Sequence, residues 1–355
     1  MKAEHGSGDL CYSELKIDAL LVSWLPNVRY LSNFSGSNGM VLLTPDSKTL
    51  FTDPRYSIQA AEESSAKVVV AKGPLIRRAA QAIKRKGLKR IGFEMSRLSY
   101  EAWETLKELL PLASGLKPIG PVIEKARMVK SPAEVERIRT SVRTNSEAFS
   151  SAIKKIRAGM RETDLAAEIE YQMRRRGAEK PSFETIVASG PRTALPHAQP
   201  TAHRFRDHEV ILIDMGSFQD GYASDMTRMV FLGAPDAKTR KMYEAVLKAQ
   251  LAAIDAVREG VAASKVDRAA RDVLKAENLE KEFVHSTGHG LGLEIHEPPR
   301  LGRKEKLRLE AGMVVTIEPG VYVKGFGGIR IEDTVLVTRN GCEVLTPTSK
   351  ELMVL

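Results

Sequence analysis

Residues 210–228, which read VILIDMGSFQDGYASDMTR, decide how this chain is interpreted. The run Val210-Ile211-Leu212-Ile213 is an apolar strand pattern that ends on Asp214. A carboxylate buried there without a partner would be costly. A second strand pattern, 222–232, carries Asp225 inside it, and Phe218-Gln219-Asp220-Gly221 between the two reads as a hairpin turn. A turn centred between Gln219 and Asp220 sets Asp214 opposite Asp225. A centre one residue later pairs Asp214 with Thr227 and leaves Asp225 as the diagonal neighbour on the same face. Either register holds the two carboxylates within roughly 5–8 Å of each other. Like charges that close need a cation or a shared proton. The bland alternative is an edge hairpin with both acids in water.

The arrangement recurs downstream. Glu318 ends Val314-Val315-Thr316-Ile317, and Glu332 sits in Ile329-Arg330-Ile331-Glu332-Asp333. The glycine-rich Lys324-Gly325-Phe326-Gly327-Gly328 reads as the loop between them. Folding about Gly325 sets Glu318 opposite Glu332, with Arg330 two residues earlier on the same strand face. Of seven histidines (His5, His197, His203, His208, His285, His289 and His296), three fall within 284–296. Glycines around His289 permit close backbone approach. A lone histidine is usually structural or solvated; one set among glycines beside four inward carboxylates reads as a ligand. Four carboxylates and an imidazole favour Mn²⁺, Co²⁺, Fe²⁺ or Zn²⁺ over thiolate-seeking metals. Five such side chains exceed what one catalytic ion with an open position needs. Two ions about 3.5–4 Å apart, bridged by carboxylates and a water, use them all.

The rest of the chain is organised around these hairpins. At 355 residues, two domains are expected. Residues 17–110 alternate strand patterns (18–23, 40–44, 49–52, 67–71) with helical ones (55–63, 75–86, 99–110), which describes a sheet with helices packed on it. A break falls near 112–122, where Gly115, Pro118, Gly120 and Pro121 cluster. Ser131-Pro132-Ala133-Glu134 then opens a helix with the residues of a capping box, predicted to run to about 157. Further helices are predicted over 163–177, 238–258 and 264–276, and strands over 209–214, 222–232, 313–317 and 329–338. The expected class is α+β, with domains over 1–125 and 126–355.

Composition bounds the function. Hydrophobic residues make up 43% and charged residues 28%, a globular balance. The net charge of +9 is scattered, so it reads as a solvated basic surface and no nucleic-acid partner is expected. Cys11 and Cys342, at opposite ends, build neither a disulfide framework nor a thiolate metal site. Residues 1–10 lack the apolar core of a signal peptide, and no apolar run is long enough to span a bilayer. The expectation is a cytoplasmic protein without a membrane partner.

The strings Ile213-Asp214-Met215-Gly216, Ser224-Asp225-Met226-Thr227-Arg228, Thr287-Gly288-His289-Gly290-Leu291-Gly292, Ile317-Glu318-Pro319-Gly320 and Arg330-Ile331-Glu332-Asp333 resemble the metal motifs of the pita-bread metallopeptidases. The branch they resemble is that of Xaa-Pro dipeptidase (prolidase) and aminopeptidase P. The likeness extends to the N-terminal half, through Asn27-Val28-Arg29-Tyr30-Leu31 and Thr52-Asp53-Pro54-Arg55-Tyr56. It implies an N-terminal α/β creatinase-type domain and a C-terminal pita-bread domain with a curved antiparallel sheet. It implies that Asp214, Asp225, His289, Glu318 and Glu332 bind two divalent metals, Mn²⁺ or Co²⁺ foremost, with Asp225 and Glu332 bridging. His197 matches a substrate-contacting histidine, His285 and His296 match supporting and intermediate-stabilising ones, and Arg330 matches an arginine that hydrogen-bonds within the site. A homodimer is implied as well.

The expected reaction is hydrolysis of the bond between an N-terminal residue and a following proline, through a hydroxide bridging the metals. Glu318 acts as general base and then acid, and His296 with His197 stabilises the oxyanion. Arg300, in His296-Glu297-Pro298-Pro299-Arg300, is the candidate for a free prolyl carboxylate, against the bland reading of a surface arginine. The alternatives are an aminopeptidase P acting on longer peptides, a methionine aminopeptidase, a metal-free creatinase, and a non-catalytic binding protein on the same fold.

Overall fold

The computed structural model describes residues 12–355; the 1–10 segment, His5 and Cys11 lie outside the described residues. The chain forms two compact units, one ending at Arg127 and one running Met128–Leu355.

In the first unit, strands β1 (Ala19–Val22), β2 (Gly39–Thr44), β3 (Ser47–Thr52), β4 (Lys67–Val70), β5 (Arg90–Glu94) and β6 (Gly115–Ile119) form one sheet in the order β4-β3-β2-β1-β5-β6. Strand β1 is central and apolar on both faces. Ala19 and Leu21 join one core with the helix Leu75–Arg85, and Leu20 and Val22 join the other with the helix Leu25–Ser32. The segment read as a break therefore contains a strand. Pro118 misleads because β6 lies at the sheet edge, where a missing N–H is tolerated. The helix Leu25–Ser32 and strand β5 were also not anticipated.

In the second unit, the helix Pro132–Ala152 starts with the expected capping box between Ser131 and Glu134, and ends in a 3₁₀ turn at Ile153–Lys155, short of 157. Strands β7 (Lys180–Pro181), β8 (Ile186–Ser189), β9 (Glu209–Met215), β10 (Ser217–Gln219), β11 (Tyr222–Ala223) and β12 (Met226–Leu232) precede two long helices, Ala237–Ala256 and Ala263–Ala276. Strands β13 (Gly288–Gly290), β14 (Glu297–Leu301), β15 (Val314–Ile317), β16 (Gly320–Val323), β17 (Gly327–Arg330), β18 (Asp333–Val337), β19 (Cys342–Val344) and β20 (Met353–Val354) follow. They assemble as β20-β12-β9-β8, β14-β13-β15-β18-β19, β11-β10-β7 and β16-β17.

Two of the predicted strands are each split. The 222–232 pattern is interrupted at Ser224-Asp225, and the 329–338 pattern at Ile331-Glu332. Each interruption contains one of the acids. The first hairpin takes the later of the two registers: Thr227 pairs with Asp214 and Gln219 with Tyr222. Its turn is Asp220-Gly221, with φ of 51° and 83°. Both positive values suit a type I′ turn, for which Asp-Gly is favoured. The second hairpin folds about Gly325, which has φ of 76°. Gly320 pairs with Arg330 and Ile317 with Asp333, so Glu318 and Glu332 fall in matching gaps.

Alternation puts the acids on a chosen face. Ile211 and Ile213 pack with Phe149, Leu165 and Met173. Leu212, Met229 and Phe231 pack on the other side with Val315, Ile317 and Ile331. Asp214 and Thr227 share the parity of this second set, so the acid cluster continues an apolar face.

Candidate metal centre and active site

Asp214, Asp225, His289, Glu318, Glu332, His197, His285, His296, Arg300 and Arg330 all line one cavity of about 780 Å³. The two hairpins are joined directly beside it. The Glu332 amide donates to the Thr227 carbonyl at 3.2 Å, and the Thr334 hydroxyl to the Asp225 carbonyl at 2.9 Å. Asp225, Glu318 and Glu332 reach the cavity where the ladders stop, and Asp214, His289 and Arg330 reach it from paired strands.

Arg330, 3% exposed, organises the acids. Its Nη2 donates to Asp214 Oδ2 at 2.6 Å and its Nε to Thr227 Oγ1 at 3.0 Å. The Thr227 hydroxyl passes its own hydrogen to Glu332 Oε2 at 2.8 Å. One oxygen of each acid is thus held back. The other two, Asp214 Oδ1 and Glu332 Oε1, are buried without a hydrogen-bond partner. A buried carboxylate oxygen left bare is expensive unless something else binds it.

His289 is prepared in the same way. Its Nδ1 lies 3.0 Å from the Gly290 carbonyl, which can only accept, so Nδ1 carries the proton. Nε2 then presents a lone pair, 3.5 Å from both Asp225 Oδ2 and Glu318 Oε1. Atoms of Asp225, His289 and Glu332 lie within 4.8 Å of one another. A carbonyl fixing the far nitrogen is the usual way a metal-binding imidazole is oriented.

Electrostatics agree with this. Burial, then the neighbouring Asp214 and Glu318 charges, push the Asp225 carboxyl well above its ordinary range. Burial, then Asp225, does the same at Glu332, and burial raises Glu318. Without added positive charge these acids would keep protons. Bare oxygens, an open imidazole nitrogen and crowded carboxylates are the donor set that divalent cations take, so the residues present fit the two expected ions.

A second chain of hydrogen bonds runs from Arg330 away from the acids. Nη1 donates to Tyr322 Oη at 2.8 Å, and Tyr322 Oη lies 2.9 Å from His285 Nε2. His285 Nδ1 faces the Ser286 carbonyl at 2.8 Å and so carries its proton. Burial pushes His285 down to about 4 and Tyr322 up to about 12, so a neutral ring accepts from a protonated phenol at neutral pH. His285 therefore acts through Tyr322 and Arg330. His296 packs edge-on against His289, with ring centroids 4.4 Å apart, and burial followed by the His289 ring lowers it to about 4. Arg300 is the cross-strand partner of His289, and its guanidinium is exposed with no hydrogen bond or ion pair among the described residues.

Thr227 and Tyr322 received no role from the sequence. Both are ordinary strand formers, and their functions arise only from Arg330 beside them. The signal that could have exposed Thr227 was the register that pairs it with Asp214.

The model of metallopeptidase family M24 matches residues 136–339, and that of the creatinase/prolidase N-terminal domain matches residues 12–129. An Xaa-Pro dipeptidase of Pyrococcus horikoshii is 39% identical over 95% of this chain and 95% of its own length. Among solved structures, an Xaa-Pro dipeptidase from Bacillus anthracis superposes with a TM-score of 0.94 at 36% identity, covering 97% of both chains. An X-Pro aminopeptidase from Thermotoga maritima gives 0.91 at 34% identity, over 97% of this chain and 99% of that one. Among the described residues, no helix is long and apolar enough to cross a membrane.

Proposed function

This chain belongs to metallopeptidase family M24, with a creatinase/prolidase N-terminal domain ahead of the peptidase domain, and on that premise we propose that it is a metal-dependent exopeptidase hydrolysing the Xaa-Pro bond of dipeptides. The observation that carries the reading is the pair of bare, buried oxygens on Asp214 and Glu332, beside an imidazole whose Nε2 is open. Asp214, Asp225, His289, Glu318 and Glu332 would hold two divalent cations. Mn²⁺ or Co²⁺ suit these donors best, with Zn²⁺ or Fe²⁺ as the other choices. The chemistry supplied by the bound pair is Lewis acidity at the scissile carbonyl and a lowered pKa for water.

The protein's own groups do the rest. Glu318 accepts a proton from the attacking water at its carboxylate and passes it to the prolyl nitrogen. Its burial, which raises proton affinity, suits it to hold that proton between the two steps. His296, neutral at pH 7, keeps one ring N–H to donate to the developing oxyanion, and His197 at the exposed side of the cavity can add a second. Arg300 receives the free prolyl carboxylate through its unengaged guanidinium. A proline nitrogen has no hydrogen to offer, so recognition must come from its ends.

The homodimer rests on the family resemblance, the cytoplasmic location on the composition of the chain, and the division into 1–125 and a catalytic 126–355 on the break near 112–122 together with the resemblance. Similarity to an X-Pro aminopeptidase supports a second reading, action on longer peptides. The test is to strip the protein of metal, restore Mn²⁺, Co²⁺ or Zn²⁺, and assay Xaa-Pro dipeptides against Xaa-Pro tripeptides. Cleavage of dipeptides supports the first reading, and cleavage of longer peptides alone supports the second. Activity on Met-Ala peptides without activity on either overturns both.

A further inference from the structure

Behind the acid cluster lies a second buried arginine with different partners. Arg228 is 2% exposed and directly follows Thr227. Its Nε donates to the Ser349 carbonyl at 2.9 Å. Nη1 donates to the Thr227 carbonyl at 3.0 Å and the Glu332 carbonyl at 2.5 Å. Nη2 donates to the Thr348 carbonyl at 2.6 Å and to Asp333 Oδ1 at 2.7 Å. A guanidinium has five N–H donors, and all of them are used. The other Asp333 oxygen accepts from Gln250 Nε2 at 2.8 Å and from Lys350 Nζ.

What Arg228 grips is informative. Glu332 lies in the gap between β17 and β18, outside either ladder. Its amide is held by the Thr227 carbonyl and its carbonyl by Arg228. Thr227 in turn hydrogen-bonds the Glu332 carboxylate. Arg228 therefore fixes the backbone of both members of that contact. It does so while also holding residues 348–349, near the C-terminal end of the chain.

We propose that Arg228 is a positioning residue for the metal centre. It sets where the Glu332 carboxylate stands and couples residues 345–355 to cation binding. This rests on the two-cation reading above. Lysine cannot substitute, because an ammonium has three donors on a flexible stem and cannot span five acceptors.

The test measures cation binding rather than turnover. Mn²⁺ affinity is determined by competition with a chromophoric chelator for the wild type, Arg228→Lys and Lys350→Met. Loss of an outer partner of a metal ligand typically weakens affinity about 10–100-fold, and that is expected for Arg228→Lys. Lys350→Met removes the second cation from Asp333 but none of the carbonyl contacts. It is expected to lower the melting temperature while leaving Mn²⁺ affinity within about two-fold, well below the roughly 10–100-fold of an outer-partner effect. Weakening in both variants in proportion to lost melting temperature would mean a merely structural role and overturns the proposal, as does wild-type affinity in Arg228→Lys. Should Arg228→Lys not fold, amide exchange in wild-type protein decides. Coupling is reciprocal, so adding Mn²⁺ must slow exchange across 345–355; unchanged exchange there overturns the proposal. A wild type that binds no cation at all refutes the two-cation reading itself and is distinguishable from either result.

Discussion

The two hairpins of the second unit, 209–232 and 314–337, solve one problem in two ways. Both are long, both fold about a glycine-containing turn, and both are interrupted next to their acids. In the second, Glu318 and Glu332 face each other across matching gaps. In the first, Asp214 remains in the ladder opposite Thr227, and only Asp225 stands in the gap. A hydroxyl thus occupies the place where the other hairpin has a carboxylate. It is where Arg330 and Glu332 meet through one side chain. The difference separates two kinds of position: Asp214 offers its free oxygen from within a ladder, where pairing fixes its backbone, whereas Asp225, Glu318 and Glu332 offer theirs from the gaps.

The largest expected effect treats the hairpins alike. Removing divalent metal should reduce peptide cleavage to background and lower the melting temperature. Restoring Mn²⁺ to 100 times its dissociation constant should return about 2.7 kcal/mol of stability for each cation bound. A melting curve indifferent to metal would deny that the gaps bind cations.

The next prediction separates the hairpins chemically. Glu318→Gln should lower kcat by about 10³-fold, within the range for general acid–base catalysis, with an unchanged circular dichroism spectrum. Undiminished turnover would remove the role assigned to Glu318.

Thr227→Val probes the asymmetry itself. It strips the hydroxyl that links Arg330 to Glu332, and metal affinity should fall about 10–100-fold. If affinity holds, the exchange of a hydroxyl for a carboxylate between the hairpins has no functional meaning.

The smallest effect concerns the turns. Gly221 and Gly325 both have positive φ, and a side chain at Gly325 would meet open space. Alanine at either should cost about 1 kcal/mol through backbone conformation alone, with kcat unchanged. Urea denaturation and steady-state kinetics on both variants check this. A kinetic defect in either would mean that turn geometry reaches the gaps.

Much of this is legible in the sequence. Asp214, Glu318 and Glu332 stood out because carboxylates interrupted apolar runs, and the strand periodicity near them fixed a face. The interruptions themselves were not legible. Ala223-Ser224-Asp225-Met226 and Arg330-Ile331-Glu332-Asp333 continue an acceptable strand pattern, so nothing local marks where pairing ceases. Pro118 looked like a boundary because its place at the edge of a sheet depends on the order of strands distant in sequence. Tyr322 remained hidden because its partners, Arg330 and His285, are brought to it by tertiary structure.

His289 and Arg300 are neighbours across the β13–β14 pairing. If Arg300 takes the prolyl carboxylate as proposed, the backbones that carry ligand and clamp stand one strand spacing apart, about 5 Å, and the two side chains span the rest. One extra residue would carry the peptide's terminus roughly 3.5 Å further. Substrate length would then be read from a sheet that fixes where both side chains start, and changing the permitted length would mean changing the reach of Arg300 or the pairing beneath it.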